Sequence, residues 1–247
     1  MPLVLSNDDG VHAEGLATLH AVLSRRAACL VVAPTGPQSG VGHAVTTSEP
    51  MRLEEVAPGR FGLSGTPADC VRVALGRQAA FVRDRLGEAV ESTDLWLVSG
   101  INHGANLGVD IYISGTAAAA REAAILGFPS IAVSQYVGRN RKPDWSVTAE
   151  RVRGVLERLF GMPPRPGTFW NVNLPHPADE SVDHEIVFCP MDPSPHAFDY
   201  EQREGELHWV SDYHNRPRLP DHDIDVCMGG RIAVTQIPVQ PLFDSEM

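Results

Sequence analysis

The chain has 247 residues, 43% of them hydrophobic, and a formal net charge of -11 at pH 7. That length is enough for one large domain or two small ones with a substantial core. So acidic a surface repels a polyanion and excludes stable non-specific binding to DNA or RNA, whereas a small phosphate ester stays accessible where a bound cation inverts the local field.

Leu3-Val4-Leu5 predicts a short strand, ended by Ser6-Asn7-Asp8-Asp9-Gly10. Leu16, Leu19, Val22 and Leu23 recur near a 3.6 period and predict a helix. Leu30 to Ala33 reads as a second buried strand, stopped by Pro34. Residues 41 to 63 are Gly-rich, β-branched and without helical period, which predicts a β-hairpin projecting from the core. Ser64 to Val71 reads as a turn into a short helix with Pro67 in its first turn. Leu95 to Val98 predicts another strand, and Ala117 to Leu126 an Ala-rich helix ended by Gly127 and Pro129. Ile131 to Val133 is again a strand pattern. Val152, Val155, Leu156 and Leu159 predict an amphipathic helix capped by Asp144 or Ser146, and Phe169 to Asn173 a further strand. From about Pro175 the periodicity disappears and Pro, His and Asp rise, with 231 to 237 the one good strand.

Short apolar strands separated by helices predict an α/β fold: a Rossmann-like, mostly parallel sheet flanked by helices. The expected organisation is a core over residues 1–175 and a C-terminal arm or oligomerisation segment over 176–247. No apolar run is long enough to span a bilayer, and the N-terminus lacks the basic start and length of a signal peptide. Cys29, Cys70, Cys189 and Cys227 form no Cys-x-x-Cys pair, so ordinary thiols of a cytoplasmic protein are expected.

Such sheets bind ligands at the carboxyl ends of their strands, where several motifs fall. Asp8 and Asp9 repel each other when both are ionised and together call for a cation, with hard oxygen donors favouring Mg²⁺ or Mn²⁺. Neighbouring strand residues face opposite ways, so both converge only if the chain turns, which Gly10 permits. The same residues also fit a simple Asp-Gly turn with two solvated carboxylates. Ser39, before Gly40, offers a hydroxyl to a metal or a phosphate, or is a turn residue. Ser99 to Gly108 carries glycines at 100, 104 and 108, with Asn102 and Asn106 as neutral oxygen ligands and amide donors. Its spacing is neither G-x-G-x-x-G nor a P-loop, and the absence of G-x-G-x-x-G after the first strand argues against a nicotinamide-linked oxidoreductase. Ser114-Gly115-Thr116 precedes the Ala-rich helix, where N–H groups suit either an anion or a simple cap. No histidine pair has His-Glu-x-x-His spacing, so the ten histidines do not predict a zinc centre.

Taken together and in this order, these segments resemble the SurE nucleotidases. The likeness is carried by residues 5–16, 33–46, 65–71, 99–102, 114–116, 127–134 and 171–175. The resemblance implies a phosphatase acting on nucleoside 5′- and 3′-monophosphates with one divalent cation per subunit, Mg²⁺ or Mn²⁺, and a homo-oligomer, dimer or tetramer. It implies metal ligation by Asp8, Asp9, Ser39 and Asn102 and phosphate contacts from Asn106 and Ser114, to which the helix start at Gly115 and Thr116 would add backbone N–H donors. Hydrolysis would use Asp8 or Asp9 to orient or deprotonate water. A catalytically silent nucleotide-binding protein on the same fold is the alternative, although a pure binder has no need of all four ligand positions.

Overall fold

The structure is a computed structural model describing residues 1–87, 94–176, 184–196 and 199–239. Its main sheet has nine strands in the order β3-β4-β2-β1-β5-β6-β7-β11-β8. In chain order these are β1 (Leu3–Ser6), β2 (Cys29–Pro34), β3 (Leu53–Ala57), β4 (Arg60–Leu63), β5 (Trp96–His103), β6 (Ser130–Gln135), β7 (Thr168–Leu174), β8 (Ile186–Phe188) and β11 (Ile232–Pro238). The strands from β4 to β7 run parallel, while β3 and β11 each join antiparallel. The fold is therefore α/β with a mostly parallel central sheet.

Both faces are covered, which explains why the central strands read as unbroken apolar runs. Successive residues of β1 point to opposite faces. Leu3 and Leu5 pack with Leu16, Leu19 and Leu23 of α1 (Glu14–Leu23) and with Val152, Val155 and Leu159 of α4 (Trp145–Phe160). Val4 packs on the other side with Val71, Leu75 and Val82 of α2 (Pro67–Leu86) and with the alanines of α3 (Gly115–Ile125). Those alanines allow α2 and α3 to lie close together over the sheet. Asp144 is the N-cap of α4, its side chain accepting from the N–H groups of Ser146 and Val147.

Several expectations change. The 41–63 segment is a hairpin only over β3 and β4; residues 41–52 hold no strand. The hairpin does not project either, because β4 pairs parallel with β2 and extends the sheet. Residues 67–86 form a helix of 20 residues, not a short one. The segment after residue 175 is divided. β8, α5 (Asp223–Met228) and β11 pack onto the sheet, and only the hairpin of β9 (Tyr200–Arg203) and β10 (Glu206–Trp209) forms a sheet of its own. All four cysteines are free thiols, and Cys70, Cys189 and Cys227 are buried.

Candidate active site

Strand order reverses between β1 and β5: β2 and β4 lie to one side of β1, and β6 and β7 beyond β5 on the other. A crevice opens at the carboxyl ends of parallel strands where such a reversal occurs. Here it is a cavity of about 280 Å³ lined by Asp8, Asp9, Ser39, Asn102, Asn106 and Ser114 among others.

The first wall is built by the turn after β1. The Asn7 side chain closes it in both directions, Nδ2 donating to Gly10 O at 3.0 Å and Oδ1 accepting from Gly10 N at 3.2 Å. Gly10 has a φ of +107°, so the chain bends where the sequence requires. Both carboxylates reach the cavity because of this bend. Gln38 N donates to Asp8 O at 2.7 Å, fastening the Ser39 loop beside it.

Asp8 is only 5% exposed. Its carboxylate lies at the start of α3, accepting from the Thr116 hydroxyl and backbone N–H. Burial, joined by the like charge of Asp9, pushes Asp8 up to about 6 despite those donors. Gly115 packs directly against it: a Cβ there would lie 2.7 Å from the Cβ of Asp8 and 3.0 Å from its Oδ2. Asp9 is half-buried, and its Oδ2 accepts from His103 N at 3.0 Å.

Asn102 does not stand on the loop expected for it. β5 continues through Ser99 to His103, with an irregular register against β6 between Ser99 and Asn102. Asn102 Nδ2 donates to Gly104 O at 2.9 Å, which leaves its amide oxygen as the donor atom for a cation. Asn106 lies beyond the strand and is held by a buried polar frame. Its N–H donates to Asn173 Oδ1 at 2.8 Å and its Nδ2 to Ser134 Oγ at 2.7 Å, while its carbonyl accepts from Asn171 and Asn173. Ser114 caps α3, its Oγ accepting from Ala117 N at 3.0 Å.

Six of the eight sequence-predicted positions thus line one cavity. Gly115 and Thr116 lie behind it, against Asp8. Sequence reasoning missed Asp110, His196, Trp209 and Tyr213, which also line the space. Three of these come from the irregular tail, where no motif signals a site.

Among the described residues no group of three His, Cys, Asp or Glu side chains comes together as a metal centre. Asp8, Asp9, Ser39 and Asn102 form a different kind of donor set: two carboxylates with a hydroxyl and an amide oxygen on one cavity. All-oxygen donors fit a hard divalent cation, and the mutual repulsion of the two aspartates is what a cation would relieve.

An open α/β protein with an acidic, oxygen-lined centre at the switch point of its sheet is the class these features define. The family described as Survival protein SurE matches residues 3–193. The chain belongs to the SurE family. A relative from Nostoc sp. is 40% identical over 239 residues, covering 97% of this chain and all of its own. The 5′-nucleotidase SurE of Sorangium cellulosum is 36% identical over 237 residues, 95% of this chain and 88% of that protein. The crystal structure of the SurE protein from Aquifex aeolicus is similar with a TM-score of 0.79 and 26% identity, over 98% of this chain and 94% of that one.

Proposed function

We propose that this protein is a divalent-metal-dependent phosphomonoesterase that hydrolyses nucleoside 5′- and 3′-monophosphates to nucleoside and phosphate. The observation that carries the reading is the convergence of Asp8, Asp9, Ser39, Asn102, Asn106 and Ser114 on one cavity at the switch point. Kinship with proteins named 5′-nucleotidase SurE supports it.

Asp8, Asp9, Ser39 and Asn102 would hold one Mg²⁺ or Mn²⁺ per subunit. What such a cation supplies, when bound, is Lewis-acid polarisation of the phosphoryl group and neutralisation of its charge. Asp8 or Asp9 would orient the attacking water and take its proton, which passes to the nucleoside oxygen as its bond to phosphorus breaks. Asn106 Nδ2 carries two hydrogens; with one on Ser134, the second is directed to a non-bridging phosphate oxygen. The Ser114 hydroxyl and the Gly115 N–H at the start of α3 add donors at the positive end of a helix. Thr116 acts through Asp8, holding its carboxylate in place. Among the described residues no helix is long and apolar enough to cross a membrane. We place the enzyme in the cytoplasm as a dimer or tetramer.

Phosphate release from a panel of mononucleotides tests the reading. Activity should vanish on exhaustive chelation and return with Mn²⁺ or Mg²⁺. Full activity in the chelated protein would remove the metal, and no release from any mononucleotide would remove the enzyme.

A further inference from the structure

The cavity has two unlike walls. One is polar and oxygen-rich, built from the loops after β1 and β2 and the segment from β5 to α3. The other is largely aromatic and comes from the tail: His196, Trp209 and Tyr213. Trp209 is 61% exposed, a large apolar surface left open to solvent at the rim of a polar cleft.

The second wall is fixed to the first through Asp110, a buried carboxylate in the 3₁₀ turn Gly108–Tyr112, between Asn106 and Ser114. Its Oδ2 accepts from Arg216 Nη1 at 2.7 Å and from Tyr213 OH at 3.3 Å, and its Oδ1 lies 3.0 Å from His196 Nε2. Arg216 Nη2 also donates to Leu107 O at 3.0 Å, and its guanidinium lies 4.6 Å from the Tyr213 ring centroid. Below this, Gly108 N and Asp192 N both donate to the buried carboxylate of Asp223, at 2.8 Å each. The tail is thereby anchored beside the phosphate-facing residues.

Within the hairpin, Trp209 pairs with Tyr200 and Leu207 with Gln202. The alternation of a strand gives this ribbon one face with Tyr200, Leu207 and Trp209 and another with Glu201, Arg203, Glu206 and His208. Of the first face, Trp209 at the end of β10 is the residue that lines the cavity, while Tyr200 and Leu207 are exposed to solvent.

We propose that Trp209 is the stacking platform for the nucleobase, so that the tail wall binds the nucleoside while the oxygen-rich wall binds its phosphate. The assignment rests on the phosphomonoesterase reading and adds to it the residue that distinguishes a nucleotide from other phosphate esters. Stacking uses the π-face that every base has, so the site accepts purines and pyrimidines and favours the larger purine surface. Asp110 is a positioning residue for this wall.

The test compares adenosine 5′-monophosphate with glycerol 1-phosphate, which has no ring to stack, on the full chain in Mn²⁺. Trp209→Ala should lower the ratio of kcat/KM for the nucleotide over that for glycerol phosphate by roughly ten- to a hundredfold, the usual worth of one base–aromatic stack. The loss should fall mainly on KM, and Trp209→Phe should recover most of it. Equilibrium dialysis of adenosine should show the same order, wild type above Phe above Ala. Equal losses on both esters, or an unchanged ratio, would overturn the assignment. So would loss through dissociation of an oligomer, seen by light scattering. Wild-type protein inactive on both esters would instead refute the phosphomonoesterase reading, and adenosine binding would still judge Trp209.

Discussion

Asp8 and Asp9 are adjacent in sequence and unequal in setting. Asp8 is buried and clasped by Thr116 at the start of α3, whereas Asp9 is half-buried and touches the backbone of His103. Among the described residues neither forms a side-chain ion pair with a cation of the protein. Asp9→Asn should therefore lower kcat by more than about a hundredfold, the upper range for losing even an outer partner of a metal site. The chelated variant should melt no lower than wild type, because one of two repelling charges is gone. Melting beside kcat decides: a collapsed fold with normal specific activity in the surviving fraction would make Asp9 structural. The two asparagines of the cavity separate similarly. Asn102→Ala should first raise the Mn²⁺ concentration needed for half-activity. Asn106→Ala should leave that midpoint nearly unchanged and lower kcat roughly a hundredfold or more, as for a donor aimed at developing charge. It also strips Ser134 Oγ of its buried partner, which costs about 1–3 kcal/mol of stability, so melts must accompany the kinetics. Equal shifts of the Mn²⁺ midpoint in the two variants would refute the division.

At the scale of elements, α2 shows how a loop is bound to the core. Thr66 is its N-cap and forms a capping box with Asp69, each side chain accepting from the other's backbone N–H. Asp69 also accepts from Thr46 N at 2.9 Å and Thr46 Oγ1 at 2.7 Å, tying the segment after Ser39 to the helix. Burial by itself would raise the Asp69 pKa, but these donors outweigh it and hold the carboxyl below its ordinary 3.8. A depressed folded pKa contributes stability that is present above the unfolded pKa and lost as pH falls through the folded one. Asp69→Asn should cost about 1–2 kcal/mol near pH 7. The gap from wild type should close as pH falls below 3.8. Denaturant melts from pH 7 to pH 3 measure it, and a gap independent of pH would refute the ionic role.

The same helix marks where sequence reading stops. β1, β2, β6 and β7 are legible because buried parallel strands are short apolar runs, and α4 because its apolar stripe repeats cleanly. α2 buries mostly small residues, Ala68, Ala74 and Ala79 with Val71 and Leu75, which give a faint periodic signal. β9 and β10 are exposed throughout, so no buried face patterns them. The oxygen-rich wall was legible because its residues cluster at strand ends in short motifs. The aromatic wall was not, because Asp110 meets Arg216 across 106 positions and no local spacing encodes that pair.

Over the whole molecule, the tail presents several large apolar side chains to solvent. Leu207 is 70% exposed and Tyr200 61%, on a ribbon that has two strands among the described residues. Such a ribbon is marginal alone and gains stability when its apolar face is covered. Beside β11 lies a groove of about 550 Å³ lined by Tyr112, Trp170, Phe188, Met191 and Ile237 among others. Phe188 and Trp209 are exposed as well. β3 adds an edge strand whose outer backbone groups are open to pairing. The protein should therefore be at least a dimer at micromolar concentration. Truncation near residue 175 is a poor test, since it removes β11 and the buried Ile232 and Val234. Leu207→Glu, alone and with Tyr200→Glu, places charge on the exposed face and leaves the main sheet intact. Light scattering should show the mass per particle falling in these variants, with melting midpoints reported at matched concentration because assembly and stability are linked. A wild-type protein that is monomeric at micromolar concentration would defeat the prediction. Variants that assemble like wild type would move the interface away from the hairpin.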